Sequence, residues 1–313
     1  MSKKDTLTKQ FLGQDEVFAD AFNYYLFNGK QVIRPEDLKA QDPTEIAVIR
    51  KQGQLFPHQR FRDVLKHCTI RCNNSATFIL LGIEAQSFIH YAMPIRDYLY
   101  DALNYAAQVE TIRKKHLAAH DLHDSAGLLS GFTKRDKILP VITLCICFDN
   151  TAWDAPRSLY DLFGEVDPWI TEYVDDYRLN LITPDEIQDF NRFSSDLGLV
   201  LEYIKNSGDN KRLRDIIESK ETYQCVDVST VDMINAYTAT NISTKNADGG
   251  KIDMCKAIQD MMEESRVEGH AEGQKEIADT IKTLRASGMS ADQILKKIER
   301  DAKRNARTRK KRR

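Results

Sequence analysis

The chain has 313 residues, 42% hydrophobic and 29% charged, the balance of an ordinary globular protein with room for one large domain or two small ones. Its longest apolar run, LPVITLCICF at 139–148, has the length of a strand and falls well short of the roughly 18 residues that a membrane span needs. The formal charge of −2 hides an asymmetry: the last eleven residues, KRNARTRKKRR, hold eight Lys or Arg and no acid, and the remaining body carries 37 basic against 47 acidic residues, about −10. So acidic a body excludes general attraction to nucleic acid, leaving a local cleft or the tail as the means of any such contact. MSKKDTLTKQ has no apolar segment after its lysines, so we expect no secretory signal, a cytoplasmic location and no membrane partner.

In chain order, Val17, Phe18, Phe22, Tyr25 and Leu26 follow helical spacing and predict a helix over 14–28, with Gly29 just past its end. VIRPEDLKAQDPTE is punctuated by prolines and reads as loop or short strand with a short helix. A hairpin is expected around 60–86. A long helix follows at 94–115, with Pro94 in its first turn. DKILPVITLCICFD reads as a third strand and WDAPRS as a loop. Helices are expected at 184–205 and 209–221, then a short fourth strand in TYQCVDV. KNADGGK at 245–251 is the best linker in the chain. Beyond it lies a long charged helix over 252–283, weakened by Gly269 and Gly273, and a second helix that begins after Ser290.

Cys68, Cys72, Cys145, Cys147, Cys225 and Cys255 form no CxxC, and reduced buried thiols are the expectation. HLAAHDLHD places His116 and His120 on one helix face, with His123, Asp121 and Asp124 nearby. The glutamate of HExxH is absent, and histidines are favoured near a helix C-terminus in any case, so a metal site there is disfavoured.

The informative stretch is RFRDVLKHCTIRC, then Asn73-Asn74, then SATFILLGIEAQS. Asn tolerates the left-handed conformation of tight hairpin turns, so the two asparagines suit a two-residue turn. With Cys72 facing Ser75, Asp63 falls opposite Glu84, and such partners hold their Cβ atoms ~5 Å apart on one face. Gln86 lies on that same face. Opposed carboxylates repel each other unless a cation sits between them, and Mg²⁺ favours a few carboxylates with water and phosphate oxygens. Our reading is that Asp63 and Glu84 hold Mg²⁺ (or Mn²⁺) with Gln86 beside it. The alternative is a pair of acids at an exposed strand end with no role. Apolar residues on both faces over 78–83 argue for a central strand, whose exit is where open α/β sheets place their sites.

RDVLK, LLGIEAQS and YAMPIRDYLYDALNYAAQV together resemble the Rpn family of recombination-promoting nucleases, also called putative transposases, of the PD-(D/E)XK nuclease superfamily. FADAFNYYLFNG, LPVITL followed by WDAPRSLYDLF, and EGHAEGQ fit the same family, and the resemblance spans roughly residues 12–300. It implies an α/β fold, a PD-(D/E)XK nuclease-like mixed central sheet flanked by helices, with a helical C-terminal extension. It also implies a Mg²⁺-dependent DNA endonuclease. Asp63 matches the Asp that opens the superfamily motif, and Glu84 its second acid. Gln86 stands where most members carry Lys, a departure shared by the family's ExQ form. A Gln orients water but brings no charge, so a slow or tightly regulated enzyme is implied. The superfamily also carries an acid on its first helix. Asp15 is the first choice and Asp20 the second, although an acid in a first helical turn is favourable without any site role.

Arg96 and Tyr100 are i,i+4 neighbours on the following helix. Arg96 is a candidate phosphate contact, and Tyr100 is expected in the core. Arg307, Arg309, Lys310, Lys311, Arg312 and Arg313 form a candidate DNA anchor. The expected division is a nuclease-like domain at 1–245, a helical extension at 246–302 that could self-associate through 252–300, and a basic disordered tail at 303–313. The competing function is a non-catalytic DNA-binding or assembly protein that retains a nuclease fold.

Overall fold

The computed structural model describes residues 2–41, 44–51, 54–61, 63–72, 75–245, 247–290, 292–297 and 300. The chain divides into two compact units, Met1–Asp253 and Met254–Arg313. In the first, the elements run α1 (Lys3–Gly13), α2 (Asp15–Phe27), β1 (Leu38–Ala40), β2 (Thr44–Lys51), β3 (Gln54–Phe61), β4 (Val64–Cys72), β5 (Ser75–Gln86), α3 (Met93–Ala119), α4 (Ser125–Ser130), β6 (Val141–Cys147) and β7 (Asn180–Ile182). Then come α5 (Leu197–Asn206), α6 (Asn210–Ser219), β8 (Val226–Asp227), α7 (Val228–Tyr237) and β9 (Lys251–Ile252). In the second unit α8 (Met254–Ala286) runs through Gly269 and Gly273 without a break. Among the described residues, no helix is long and apolar enough to cross a membrane.

The main sheet is mixed and five-stranded, ordered β1-β4-β5-β6-β7. β4 pairs antiparallel with β5 from Cys72↔Ser75 to Val64↔Ile83, the expected register. The turn residues Asn73 and Asn74 lie outside the described residues. β5 pairs in parallel with β6, and β6 with β7. A parallel pair needs a crossover, which α3 supplies between β5 and β6. Covered on both faces, β6 buries Leu144, Cys145, Ile146 and Cys147 in succession.

Several expectations need correction. The stretch from 60 to 72 is not one strand: β3 ends at Phe61 in a separate two-stranded sheet with β2, and β4 begins at Val64. Asp63 therefore stands one residue outside the ladder. Only α5 forms within 184–205; before it lie two 3-10 turns, Pro184–Glu186 and Phe190–Arg192. The Asp189 side chain accepts from the Asn191 N–H and starts the second turn afresh, a local bond that competes with a continuous α-ladder through 184–205. The strand in TYQCVDV is two residues long and pairs with β9, not with the main sheet. Cys225 is exposed, whereas Cys68, Cys145 and Cys147 are the buried free thiols expected.

α1 was unforeseen. A capping box fixes its start: Ser2 Oγ accepts from the Asp5 N–H, and the Asp5 carboxylate accepts from the Ser2 N–H. Its inner face buries Phe11 and Leu12. α2 ends as predicted, with Asn28 and Gly29 at φ 58° and 84°. A Cβ on Gly29 would lie 2.6 Å from the Arg192 carbonyl oxygen, so this cap admits only glycine.

Asp20 is buried in α2. Its two oxygens accept from the backbone N–H and hydroxyl of both Ser194 and Ser195, at 2.7–2.9 Å. Asp20→Ala would strip four donors of a charged acceptor. The expected loss is about 3 kcal/mol of unfolding free energy, read from the urea midpoint at pH 7.

Candidate active site at the carboxyl end of β5

β5 emerges from the core with Leu80, Leu81 and Ile83 buried, then places Glu84 beside Cys145 and Gln86 beside Cys147 of the parallel neighbour. Glu84 is 0% exposed and Gln86 8%. Side chains alternate along the strand, so both project to one face, the face of Leu80 and Gly82. Asp63, although outside the ladder, folds back onto the strand end, where its Oδ2 accepts from the Ala85 N–H at 2.8 Å. Lys9 of α1 lies 3.5 Å from its Oδ1.

α3 supplies the other half. Pro94 starts it in the first turn, and Arg96 Nη2 comes to 3.1 Å from Glu84 Oε1. Arg96 Nε also donates to the Tyr100 hydroxyl at 3.3 Å. The contact with Glu84 is an ion pair without hydrogen-bond alignment. The Tyr100 hydroxyl is another polar group that acts on the Glu84 carboxyl. Burial pushes the Glu84 carboxyl up to about 8; Arg96 opposes this, and Asp63 and Asp97 add to it. Desolvation therefore outweighs the single guanidinium.

The structure brings Asp63, Glu84, Gln86 and Arg96 to one strand end and keeps the α2 candidates, Asp15 and Asp20, away from it. Asp15 is half exposed and binds Lys66 Nζ at 2.5 Å. Lys66 pairs with Leu81, whose side chain projects from the opposite face to Glu84. Buried Lys66 also donates to the Gly13 carbonyl at 2.6 Å and lies over the Phe18 ring, so Asp15 belongs to a cation held under α2. Asp20 is taken up by Ser194 and Ser195. Tyr100 is buried, as expected. Arg307, Arg309, Lys310, Lys311, Arg312 and Arg313 lie outside the described residues.

The histidine cluster makes no metal site. His116 is clamped between Asp121 at 2.6 Å and Asp136 at 2.9 Å, while His120 is the left-handed residue that ends α3. Among the described residues, no group of three or more His, Cys, Asp and Glu is arranged to hold a metal ion.

Sequence reasoning passed over Asp97, fully buried one residue after Arg96. It had a signal. Asp97, Asp101, Asn104 and Gln108 recur at helical spacing, and on α3 they form a polar inner face where an apolar one is usual. Asp101 accepts from Thr143 Oγ1 at 2.6 Å and the Tyr177 hydroxyl at 2.7 Å. Gln108 exchanges two bonds with the Leu139 backbone at 2.7 and 3.1 Å.

Comparison of the chain with protein-family models, curated proteins and solved structures returned no match.

The Glu84 carboxyl makes a pH prediction. Its folded value near 8 lies above the ordinary 4.5, so the fold retains a proton that the unfolded chain has released. That contribution is complete below about pH 4.5 and is lost as pH rises toward 8. The urea midpoint should fall between about pH 5.5 and 8.5, and Glu84→Gln should flatten that part of the profile.

Proposed function

We propose that this protein is a Mg²⁺- or Mn²⁺-dependent DNA endonuclease of the recombination-promoting nuclease type, with its active site at the carboxyl end of β5. One observation carries the reading. Glu84 is a fully buried acid beside Asp63 at the end of a central strand, faced by Arg96 at 3.1 Å and by Tyr100. Burying an acid this way is expensive even with Arg96 beside it and does nothing for packing, so a cation-binding role that draws off its proton accounts for it. The mixed sheet with helices around it suits the nuclease-like fold that the resemblance implies.

The donor set fits a hard divalent cation. Asp63 and Glu84 would hold it, and water and phosphate oxygens would complete its shell. A bound metal of this kind activates water and stabilises charge on the phosphate under attack. Gln86, one pleat beyond Glu84, is suited to orient that water through its amide. Arg96 is the nearby cation for a phosphate oxygen. The basic tail, 303–313, acts as a sequence-independent anchor, and 252–300 is a candidate self-association segment.

The second reading, a DNA-binding or assembly protein with a retained nuclease fold, has its own support. Arg96 at 3.1 Å already offsets the Glu84 charge without a metal, and Gln replaces the usual Lys.

Cleavage of supercoiled plasmid with Mg²⁺ or Mn²⁺ separates the two. The wild type should cut, and Asp63→Ala and Glu84→Ala, folded by circular dichroism, should each lose at least about 100-fold, on the order of 3 kcal/mol of transition-state stabilisation. A wild type inert with both metals sinks the nuclease reading. Removing residues 303–313 should weaken DNA binding and flatten its salt dependence by up to about 0.9 log units for each phosphate that the tail neutralises. Unchanged affinity would dismiss the anchor.

A further inference from the structure

A cavity of about 450 Å³ opens where β5 and β6 end, one residue past Gln86. That is within the roughly 300–1,000 Å³ typical of small-ligand sites. Its aromatic walls are Phe88, Phe148, Tyr203 and Tyr237. Phe148 and Tyr203 are buried and rigid, and Phe148 packs against Tyr237 with ring centroids 4.6 Å apart. Phe88, by contrast, is 74% exposed, an aromatic face at the mouth with little packing role. The rim carries hydrogen-bonding edges of both kinds: the Asn150 and Asn210 amides and the Asp149 carboxylate. Lys4 completes it, with Nζ 3.8 Å from the Tyr237 ring centroid and 5.9 Å from that of Phe88. The cavity adjoins the candidate active site through Ser87, the residue that follows Gln86 at the end of β5.

Flat aromatic faces, amide and carboxylate edges and one cation match the parts of a nucleotide: a ring to stack, a base edge to bond and a phosphate to neutralise. A duplex offers a base to a pocket only by extruding it, at the cost of unstacking and unpairing that a single strand does not meet. We propose that this cavity receives the base of an unstacked nucleotide beside the phosphate presented to Asp63 and Glu84, so that the preferred substrate is single-stranded or locally melted DNA. The proposal rests on reading those carboxylates as a DNA-cleaving site. Phe88 stacks on the base, Asn150 and Asn210 meet its edge, and Lys4 faces the adjoining phosphate.

The test is binding, without metal, of an oligothymidylate of about eight nucleotides against a strand of equal length and charge made of abasic sites. Equal charge cancels the contribution of the basic tail. The thymidylate should bind about tenfold tighter, in line with the stacking of one base. Phe88→Ala should abolish that difference and spare abasic binding. Gly208→Phe should do the same by filling the cavity; a Cβ at Gly208 meets only Asn150 Nδ2, at 3.8 Å, so the fold should accept it. Equal affinity of the two strands, or a difference that survives in folded Gly208→Phe, overturns the proposal. So does saturation by free thymidine monophosphate at the same concentrations, which would make the ligand a free nucleotide. Plasmid cleavage is scored separately. Cleavage without base preference sinks the pocket alone, and base preference without cleavage sinks the nuclease reading alone.

Discussion

β5 is hydrogen-bonded along both edges, antiparallel to β4 and parallel to β6, and the chemistry at its end depends on that double pairing. A strand so held cannot slide or turn over: a one-residue slip would send Glu84 and Gln86 to the face of Lys66 and Phe18. The pairing also sets the solvation of Glu84. With β6 on one side and α3 across the face, the carboxylate loses its water and meets a single guanidinium. A surface carboxylate would be ordinary at this position; a buried one is held in tension between its proton and the Arg96 guanidinium.

α3 is built to the same end. Its inner face could have been a leucine stripe, but Asp101 ties it to β6 and Gln108, which also donates to Asn104 along the helix, ties it to the chain just before β6. Hydrogen bonds of this kind fix rotation about the helix axis more sharply than interchangeable apolar contacts do. The consequence is felt at Arg96, which is held with Nη2 3.1 Å from Glu84 and Nε on the Tyr100 hydroxyl. The polar stripe thus positions a cation about three turns away from its far end.

What the sequence made legible was local and periodic. Alternation along LLGIEAQS and the left-handed tolerance of Asn73-Asn74 were enough for the β4–β5 register, and Pro94 marked the start of α3 to within one residue. Long-range ties were not legible. Nothing in FADAFN says that Asp20 meets Ser194 and Ser195, 174 and 175 positions later, so it passes for a site acid. Lys66 lies in the middle of a strand and gives no sign of capturing Asp15. The break at Asp63 went unseen because 60–72 reads as one strand by composition, while the chain changes sheets inside it. Asp97 hid because a carboxylate on a helix passes for solvent-facing unless the whole stripe is counted.

The bond between Thr8 and Tyr237 closes the first unit by joining its two ends, 229 positions apart. On a ribosome this imposes an order of events. The Asp20 partners emerge roughly ten to thirty-five seconds after α2, at ordinary synthesis rates. Until α7 has been made, Thr8 lacks its Tyr237 partner and the wall of the cavity that Tyr237 supplies does not exist. The nascent chain is therefore without its complete cavity until α7 has been made, long after β5 and α3 have supplied the residues of the proposed DNA-cutting centre.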